Sequence, residues 1–386
     1  MKTDYFKKGL TQRVITLISI IVILVFLFIL IAYNSMNKAK TENIHEEAVN
    51  TELSKDNTEK ESTNKQQEAS APAETQKASE TLPSDASEEE KAMAELKDIK
   101  VDNAAEAMKK KGKIAVDGSS MVGGISQLVA DKYKQFYKNV QVTVEVSGTE
   151  EGMNYFSAGK IDICGTTRRI TSEEAAACKG AGIDYAEIKL GYDAVAVVVN
   201  KGNNWVDAMS ITEMRKIWDS KGRARLWSDV NAAWPGSELK LYSSKLEALS
   251  RNFFCTALYS NGSVNLSKYN TEVDDNKAWL EGITSDAGAA GFCGYAFYES
   301  NKDKLKAVGI ITAEGPVMPS YETIKSGAYS PLSRTMYLYV NKNSLGKDYI
   351  KAFVKMYLEN VSKFVKAAGY LPCEDTEYQK YIDSLN

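Results

Sequence analysis

The chain has 386 residues, with 48 basic and 51 acidic side chains and a formal net charge of −3 at pH 7. This near balance, without a basic block interleaved with aromatic residues, gives no reason to expect a nucleic-acid partner. The only histidine is His45, so the chain beyond it has no imidazole for general-base catalysis or transition-metal ligation. We therefore expect no catalytic residues, no metal and no cofactor, although Ser-Lys or paired-carboxylate chemistry stays open in principle.

Residues 14–33, VITLISIIVILVFLFILIAY, are 20 consecutive uncharged residues, the length that crosses a bilayer as a helix. Because no small-residue cleavage site follows, the sequence predicts a retained transmembrane anchor rather than a cleaved signal peptide. The basic residues that precede the span place residues 1–13 in the cytoplasm. The prediction is a single-pass cell-membrane protein with an extracellular C-terminal domain.

Residues 34–111 are rich in Ser, Thr, Glu, Lys, Ala and Gln. A segment of this composition buries too little apolar area to offset the entropy lost on ordering. We expect a disordered linker, with at most a marginal helix that begins at Ser87 and has Glu90 as its capping-box partner.

The remaining part, residues 112–386, is about 275 residues long and suits either one large domain or two lobes. Its five cysteines are an odd number without a CxxC pair, so they indicate neither a disulfide scaffold nor a zinc site. One or two disulfide bridges stay open, but the apolar surroundings of Cys164 and Cys293 favour buried thiols.

The first predicted elements alternate between strands and helices. KIAVDG reads as a strand, SSMVGGISQLVADKYKQFYKN as an amphipathic helix and VQVTVEVSG as a second strand. A helix that ends near Gly159, a short strand KIDICGTT and a helix capped by Thr171 or Ser172 with Glu174 follow. This alternation predicts an α/β sheet, in which ligands bind beyond the carboxyl ends of the strands.

Small hydroxyl residues and glycines follow three of these strands. The three loops are Gly118-Ser119-Ser120, Ser147-Gly148-Thr149 and Gly165-Thr166-Thr167-Arg168. Helix N-termini supply unpaired N–H groups, glycine lets a ligand approach the backbone, and an arginine adds charge-assisted hydrogen bonds. Plain capping is the simpler interpretation of any one loop, and a solvated charge is that of Arg169. Their repetition at three strand ends favours an oxyanion site.

The sequence also resembles a known family. VDGSSMV, VSGTEEGMNYFSAGKIDICGTTRRI, GYDAVAVVVNKGNNWVDAMSITEMRKIW, GFCGYAFYESNKDKLKAV, AYSPLSRTMYLYVN and AAGYLP are similar, in order, to motifs of the substrate-binding proteins of phosphate ABC transporters. The resemblance implies a two-lobed, type II periplasmic-binding-protein-like α/β fold. Lobe 1 would comprise residues 112–194 and 311–386, and lobe 2 residues 195–310.

The resemblance also implies a phosphate site made of hydroxyls, amides and an arginine. The residues it points to are Ser119, Ser120, Met121, Ser147, Gly148, Thr149, Thr166, Thr167, Arg168, Ser244, Lys245 and Ser250. SGTEEG and GTTRRI would then form two walls of the pocket.

This chain departs from the family pattern in both lobes. Met121 stands where the first loop usually has threonine, and Arg169 where proline is common. In the second lobe Ser244 aligns with an arginine, and residues 248–250 (Ala-Leu-Ser) align with Ser-Gly-Thr. Lys245 could replace the lost charge, but lysine lacks the guanidinium fork.

Two functions from different classes follow. The first is a membrane-tethered, monomeric extracellular protein that captures inorganic phosphate for an ABC permease. The second is a surface sensor or structural protein that keeps the fold with a degenerate phosphate site.

Overall fold

The computed structural model of the chain describes residues 88–101, 103–259 and 266–384. The predicted cytoplasmic segment, the predicted span 14–33 and the first part of the predicted linker lie outside these ranges. Within the described ranges, no helix is both long enough and apolar enough to cross a membrane.

The described strands are, in chain order, β1 (Gly112–Gly118), β2 (Val140–Val144), β3 (Ile163–Thr166), β4 (Tyr185–Asn200), β5 (Ala208–Met209), β6 (Lys240–Ser244), β7 (Asn270–Val273), β8 (Ala289–Gly294), β9 (Leu305–Thr312), β10 (Gly315–Val317), β11 (Ser333–Asn341) and β12 (Leu371–Pro372).

The described helices are α1 (Glu88–Glu95), α2 (Ala104–Lys109), α3 (Ser120–Phe136), α4 (Thr149–Ser157), α5 (Ser172–Gly180), α6 (Ile211–Trp218), α7 (Trp227–Val230), α8 (Ala248–Leu258), α9 (Asn276–Thr284), α10 (Tyr295–Ser300), α11 (Tyr321–Lys325), α12 (Asp348–Glu359), α13 (Val361–Ala367) and α14 (Asp375–Asp383). Short 3-10 turns occupy Leu96–Asp98, Lys245–Glu247 and Lys342–Gly346.

The first lobe is built on a mixed sheet with the strand order β2-β1-β3-β11-β4. β1 is parallel to β2 and β3, whereas β11 runs antiparallel to β3 and β4. Helix α3 buries Val122, Ile125 and Val129, whose spacing puts them on one helix face. The predicted β-α-β start is therefore confirmed. Thr171, not Ser172, is the N-cap of α5, and it forms a complete capping box with Glu174.

One long strand joins the two lobes. Residues 185–194 of β4 pair with β11, and from Val195 onward β4 pairs with β8 and β9 instead. In the second lobe, β6 runs parallel to both β7 and β8. The chain returns to the first lobe beside this crossing, where the Val195 N–H donates to Leu332 O at 3.0 Å.

The two-lobed α/β fold is thus present, whereas the boundaries given for the lobes stay a prediction. β9 runs across the predicted boundary at residue 310, and β10 pairs with it. The strand pairing favours a return to the first lobe at Ser333, where β11 begins.

The described part of the predicted linker, residues 88–101 and 103–109, contains helices, and the helix predicted to follow Ser87 is present as α1. This segment forms α1, a 3-10 turn and α2, and it buries Ala92, Leu96 and Ile99 in the main core. Helix α1 contacts α13 of the first lobe and α10 of the second. A thin apolar stripe is enough here because these neighbouring helices supply the packing that an isolated helix lacks.

The cysteines are all within the described residues, and all five are free and buried. Burial raises the pKa of the Cys164 thiol to about 12, which keeps it protonated at neutral pH. The interpretation as buried thiols is confirmed.

Helix α4 approaches β1 too closely for a side chain at Gly152, where a Cβ would lie 2.6 Å from the Cα of Gly118. We expect Gly152→Ala to lower the free energy of unfolding by about 1 to 3 kcal/mol, since the helix must move off the strand. The matched control is Gly124→Ala in α3, where a Cβ meets nothing within 4 Å. It should raise the free energy of unfolding by up to about 1 kcal/mol. Urea denaturation measures both, and equal effects would contradict the packing argument.

Candidate functional site

The three predicted loops of the first lobe lie side by side and are joined by backbone hydrogen bonds. Ser119 donates its N–H to Gly165 O at 2.8 Å. Gly148 donates its N–H to Gly118 O at 3.0 Å. Because β2 and β3 flank β1 in parallel, their carboxyl ends bring these loops to one edge of the sheet.

The helices that follow two of these loops begin without a side-chain cap. Ser119 precedes α3 and Gly148 precedes α4, and neither residue accepts a capping hydrogen bond through a side chain. Gly148 has φ +101°, a conformation that favours glycine. By contrast, Thr171 caps α5 and Ser210 caps α6. The first N–H groups of α3 and α4 are therefore left to bind an anion.

Three of the six hydroxyl groups of these loops, those of Ser147, Thr149 and Thr166, form hydrogen bonds within the protein. Ser147 donates its Oγ–H and its N–H to the buried carboxylate of Asp117, at 2.8 and 2.9 Å. Thr166 donates its Oγ1–H to the carbonyl of Arg168 at 2.7 Å. Thr149 Oγ1 accepts the Thr167 N–H at 3.4 Å, a long contact that leaves its own proton free for another acceptor. Ser120 is exposed at the first position of α3.

Arg168 forms a bidentate ion pair with Glu174, at 2.9 Å from Nη1 and 2.8 Å from Nη2. The Arg168 hydrogen bonds hold the pKa of the Glu174 carboxyl below its ordinary value, with the N–H of Thr171 assisting. Glu174 and, at 3.6 Å, Glu150 raise the pKa of Arg168. The arginine that the sequence assigned to the oxyanion site is therefore committed to a carboxylate of its own chain.

The second-lobe candidates are placed differently. Ser244 is buried and accepts the N–H of Leu246 at 3.2 Å. Lys245 points into solvent and pairs with Asp274 at 2.6 Å, with 56% of its side chain exposed. The structure therefore does not bring the Lys245 ammonium to the position of the missing arginine charge. Ser250, on α8, donates its hydroxyl to Glu247.

Arg334, on β11, is a candidate site residue that the sequence interpretation missed. Its Nε and Nη2 lie 2.9 and 2.8 Å from Oδ2 of Asp193, which is the residue opposite Arg334 on the neighbouring strand β4. The guanidinium lies over the ring of Phe253, 3.7 Å from the centroid, and Nη2 contacts Sδ of Met121. It therefore links the first turn of α3 in the first lobe to α8 in the second.

The described residues provide no hydrogen-bond acceptor for Nη1 of Arg334. The side chain is 21% exposed, so this end of the guanidinium can reach a ligand. A sequence signal for the pair exists: GYDAVAVVVN and SRTMYLYVN each carry one charged residue just before an apolar run, with opposite signs.

Within the described part of the chain, no group of three or more His, Cys, Asp or Glu side chains is arranged to hold a metal ion. The groups available here are helix N-termini, hydroxyls and the guanidinium of Arg334, which suit an oxyanion. Two α/β lobes joined by crossing strands, with such groups between them, define a protein of the periplasmic-binding-protein class.

Comparison with known proteins supports the assignment to this class. The family model described as a PBP superfamily domain matches residues 71–360. The protein SphX of Synechococcus elongatus is 34% identical over 276 residues, which cover 71% of this chain and 81% of the relative. The phosphate-binding protein PstS of Staphylococcus saprophyticus is 34% identical over 286 residues, or 73% of this chain and 88% of the relative.

Among solved structures, a possible phosphate binding protein from Planctomyces limnophilus is 33% identical with a TM-score of 0.65. The match covers 71% of this chain and 97% of that one. The chain therefore belongs to the PBP superfamily and, within it, to the PstS-like family of phosphate-binding proteins.

The Arg168–Glu174 pair predicts a pH dependence of stability. Because the pKa of Glu174 is lowered in the folded state, the pair stabilises the protein above the ordinary glutamate pKa of 4.5. This contribution is lost as the pH falls through the folded pKa. We expect Glu174→Gln to lower the free energy of unfolding by about 1 to 2 kcal/mol at pH 7, and by progressively less below pH ~4.5.

The matched control is Glu173→Gln, which changes an exposed neighbour on the same helix and should have little effect. Urea denaturation between pH 7 and pH 3 measures the difference. A Glu174→Gln effect that stays constant across this range would contradict the assignment.

Proposed function

We propose that the chain is an extracytoplasmic solute-binding protein that captures inorganic phosphate, or a related oxyanion, and passes it to an ABC permease. The observation that carries the proposal is the pair of uncapped helices α3 and α4, which begin at one edge of the first sheet. The similarity to the staphylococcal phosphate-binding protein PstS supports phosphate as the ligand.

Arg334 supplies the positive charge in this proposal. Asp193 fixes its Nε and Nη2, so the remaining nitrogen is held in place at little entropic cost. Its contact with Met121 puts it beside the N-terminus of α3, where the helix dipole also favours an anion. An oxyanion bound there would accept hydrogen bonds from N–H groups of both the helix and the guanidinium.

The predicted first-lobe residues complete the proposed site. Ser119, Ser120, Gly148 and Thr149 would contribute through backbone N–H groups and hydroxyls. Arg168 would act at the rim, since its Nη1 and Nη2 are held by Glu174. The second-lobe contribution of Ser244, Lys245 and Ser250 stays a prediction.

The second candidate function is a surface sensor or structural protein that does not bind phosphate tightly. It is favoured by one observation: Arg168, Lys245 and Ser250 each contact a carboxylate of the same chain. These three side chains must break their contacts with the carboxylates before they can bind a ligand.

The proposed location is the outer face of the cell membrane, with residues 14–33 as the anchor and the folded domain as a monomer. The support for the anchor is the uncharged 20-residue run in the sequence.

Arg334→Ala is expected to weaken phosphate binding by roughly 1.5 to 3 kcal/mol, the scale of a hydrogen bond to a charged group. Arg168→Ala should weaken it less, because its guanidinium is already paired. Isothermal titration of the full-length protein, purified in detergent without phosphate, measures both dissociation constants. The control is Arg223→Ala, which removes an exposed arginine of the second lobe.

Arg334→Lys guards against a folding defect, because it leaves a charge beside Asp193 while removing the fork. Unchanged affinity in both Arg334 variants would exclude this residue from the site. Absence of binding of phosphate, sulfate or phosphonate by the wild type would favour the sensor or structural alternative.

The anchor is tested by cell fractionation. The full-length chain should stay in the membrane fraction after an alkaline carbonate wash, whereas a variant without residues 2–33 should not. Recovery of the intact full-length chain in the soluble fraction would refute the proposed anchor.

A further inference from the structure

The carboxylate of Glu247 in the second lobe is held by donors from three different elements. Its Oε2 accepts the Ser250 hydroxyl at 2.5 Å and the Gly294 N–H at 3.2 Å. Its Oε1 accepts the side-chain amide of Asn276 at 3.3 Å. A hydroxyl, a backbone N–H and an amide N–H form the kind of donor set that binds an oxyanion without a metal.

These donors lie at the carboxyl ends of the parallel strands of the second sheet. Glu247 follows β6, Asn276 follows β7 and Gly294 ends β8. The first lobe presents its uncapped helices at the equivalent edge of its own sheet. Gly294 also leads directly into α10 without a side-chain cap.

Glu247 and Arg334 both lie close enough to Asp193 to change its electrostatic environment. Burial raises the pKa of Asp193, and the charge of Glu247 raises it further, against the lowering effect of Arg334. Ser250 lies one helical turn from Phe253, the ring that stacks on Arg334. The Glu247 carboxylate is therefore near the proposed ligand and carries the same sign of charge.

We propose that Glu247 is an internal competitor of the ligand, whose carboxylate occupies the oxyanion donors of the second lobe. A bound phosphate would have to displace it, and a dianion is disfavoured more than a monoanion because of its charge. Glu247 thus sets affinity and charge selectivity in this chain. The inference rests on the proposed function, because it concerns the second half of the same site.

The test compares Glu247→Ala and Glu247→Gln with the wild type by titration of the full-length protein with inorganic phosphate. Glu247→Ala empties the donors and removes the charge, so we expect phosphate affinity to rise at least tenfold. Glu247→Gln removes the charge but leaves an amide among the donors, and should give a smaller rise. The matched control, Glu281→Ala, changes an exposed glutamate of α9 and should leave affinity unchanged.

A second substitution tests whether the freed donors bind the ligand. Adding Ser250→Ala to Glu247→Ala should lower phosphate affinity roughly tenfold relative to Glu247→Ala alone. Thermal unfolding of each variant separates a binding effect from a folding defect. A rise in Glu247→Ala that Ser250→Ala leaves intact would overturn the claim that the carboxylate occupies a ligand subsite.

The outcomes for the inference and for the proposed function differ. Phosphate binding by Glu247→Ala but not by the wild type would support the inference and refute phosphate capture by the native chain. Binding by the wild type that Glu247→Ala leaves equal or weaker would overturn the inference and keep the function. Failure of both proteins to bind phosphate would overturn both.

Discussion

The ion pair between Asp193 and Arg334 holds the guanidinium that links the first lobe to the second. The two residues face each other on β11 and β4, next to the point where β4 crosses to the second lobe, and Asp193 is almost fully buried. A charge buried there is tolerated because its partner is fixed beside it, and loss of either partner would leave an uncompensated charge. Asp193 also orients the guanidinium of Arg334. Because the same guanidinium contacts the second lobe and makes the proposed ligand contact, both contacts depend on this ion pair.

In the proposed site, acidic side chains determine how many hydrogen-bond donors are available to an anion. Glu174 holds Arg168, Asp274 holds Lys245, Asp117 holds Ser147 and Glu247 holds Ser250. Each contact satisfies a donor that would otherwise need water or a ligand. Binding then becomes an exchange of acceptors, whose net gain is smaller than the strength of any new hydrogen bond. The first turns of α3 and α4 are the exception, because no side chain caps them.

The parts of the fold that the sequence predicts are those with local signals. The capping box of Thr171 and Glu174 and the apolar stripe of α3 each lie within one element, and both are present in the structure. Arg334 was missed because its partner Asp193 is 141 residues away and only the sheet register joins them. The pairing of Lys245 with Asp274 was missed for the same reason. The sequence identifies hydrogen-bond donors, but the tertiary structure decides whether a distant acidic side chain accepts a hydrogen bond from them.

Residues 88–109 show the same limit and add a further contact between the lobes. Judged alone, this segment has too little apolar surface to fold, yet Leu96 and Ile99 are buried against the domain. Helix α1 contacts α13 and α10, which belong to different lobes, so its packing depends on their relative position. Any movement that separates α10 from α13 must break contacts of α1 on at least one side. This segment, which precedes β1, is therefore coupled to the relative position of the two lobes rather than a passive spacer.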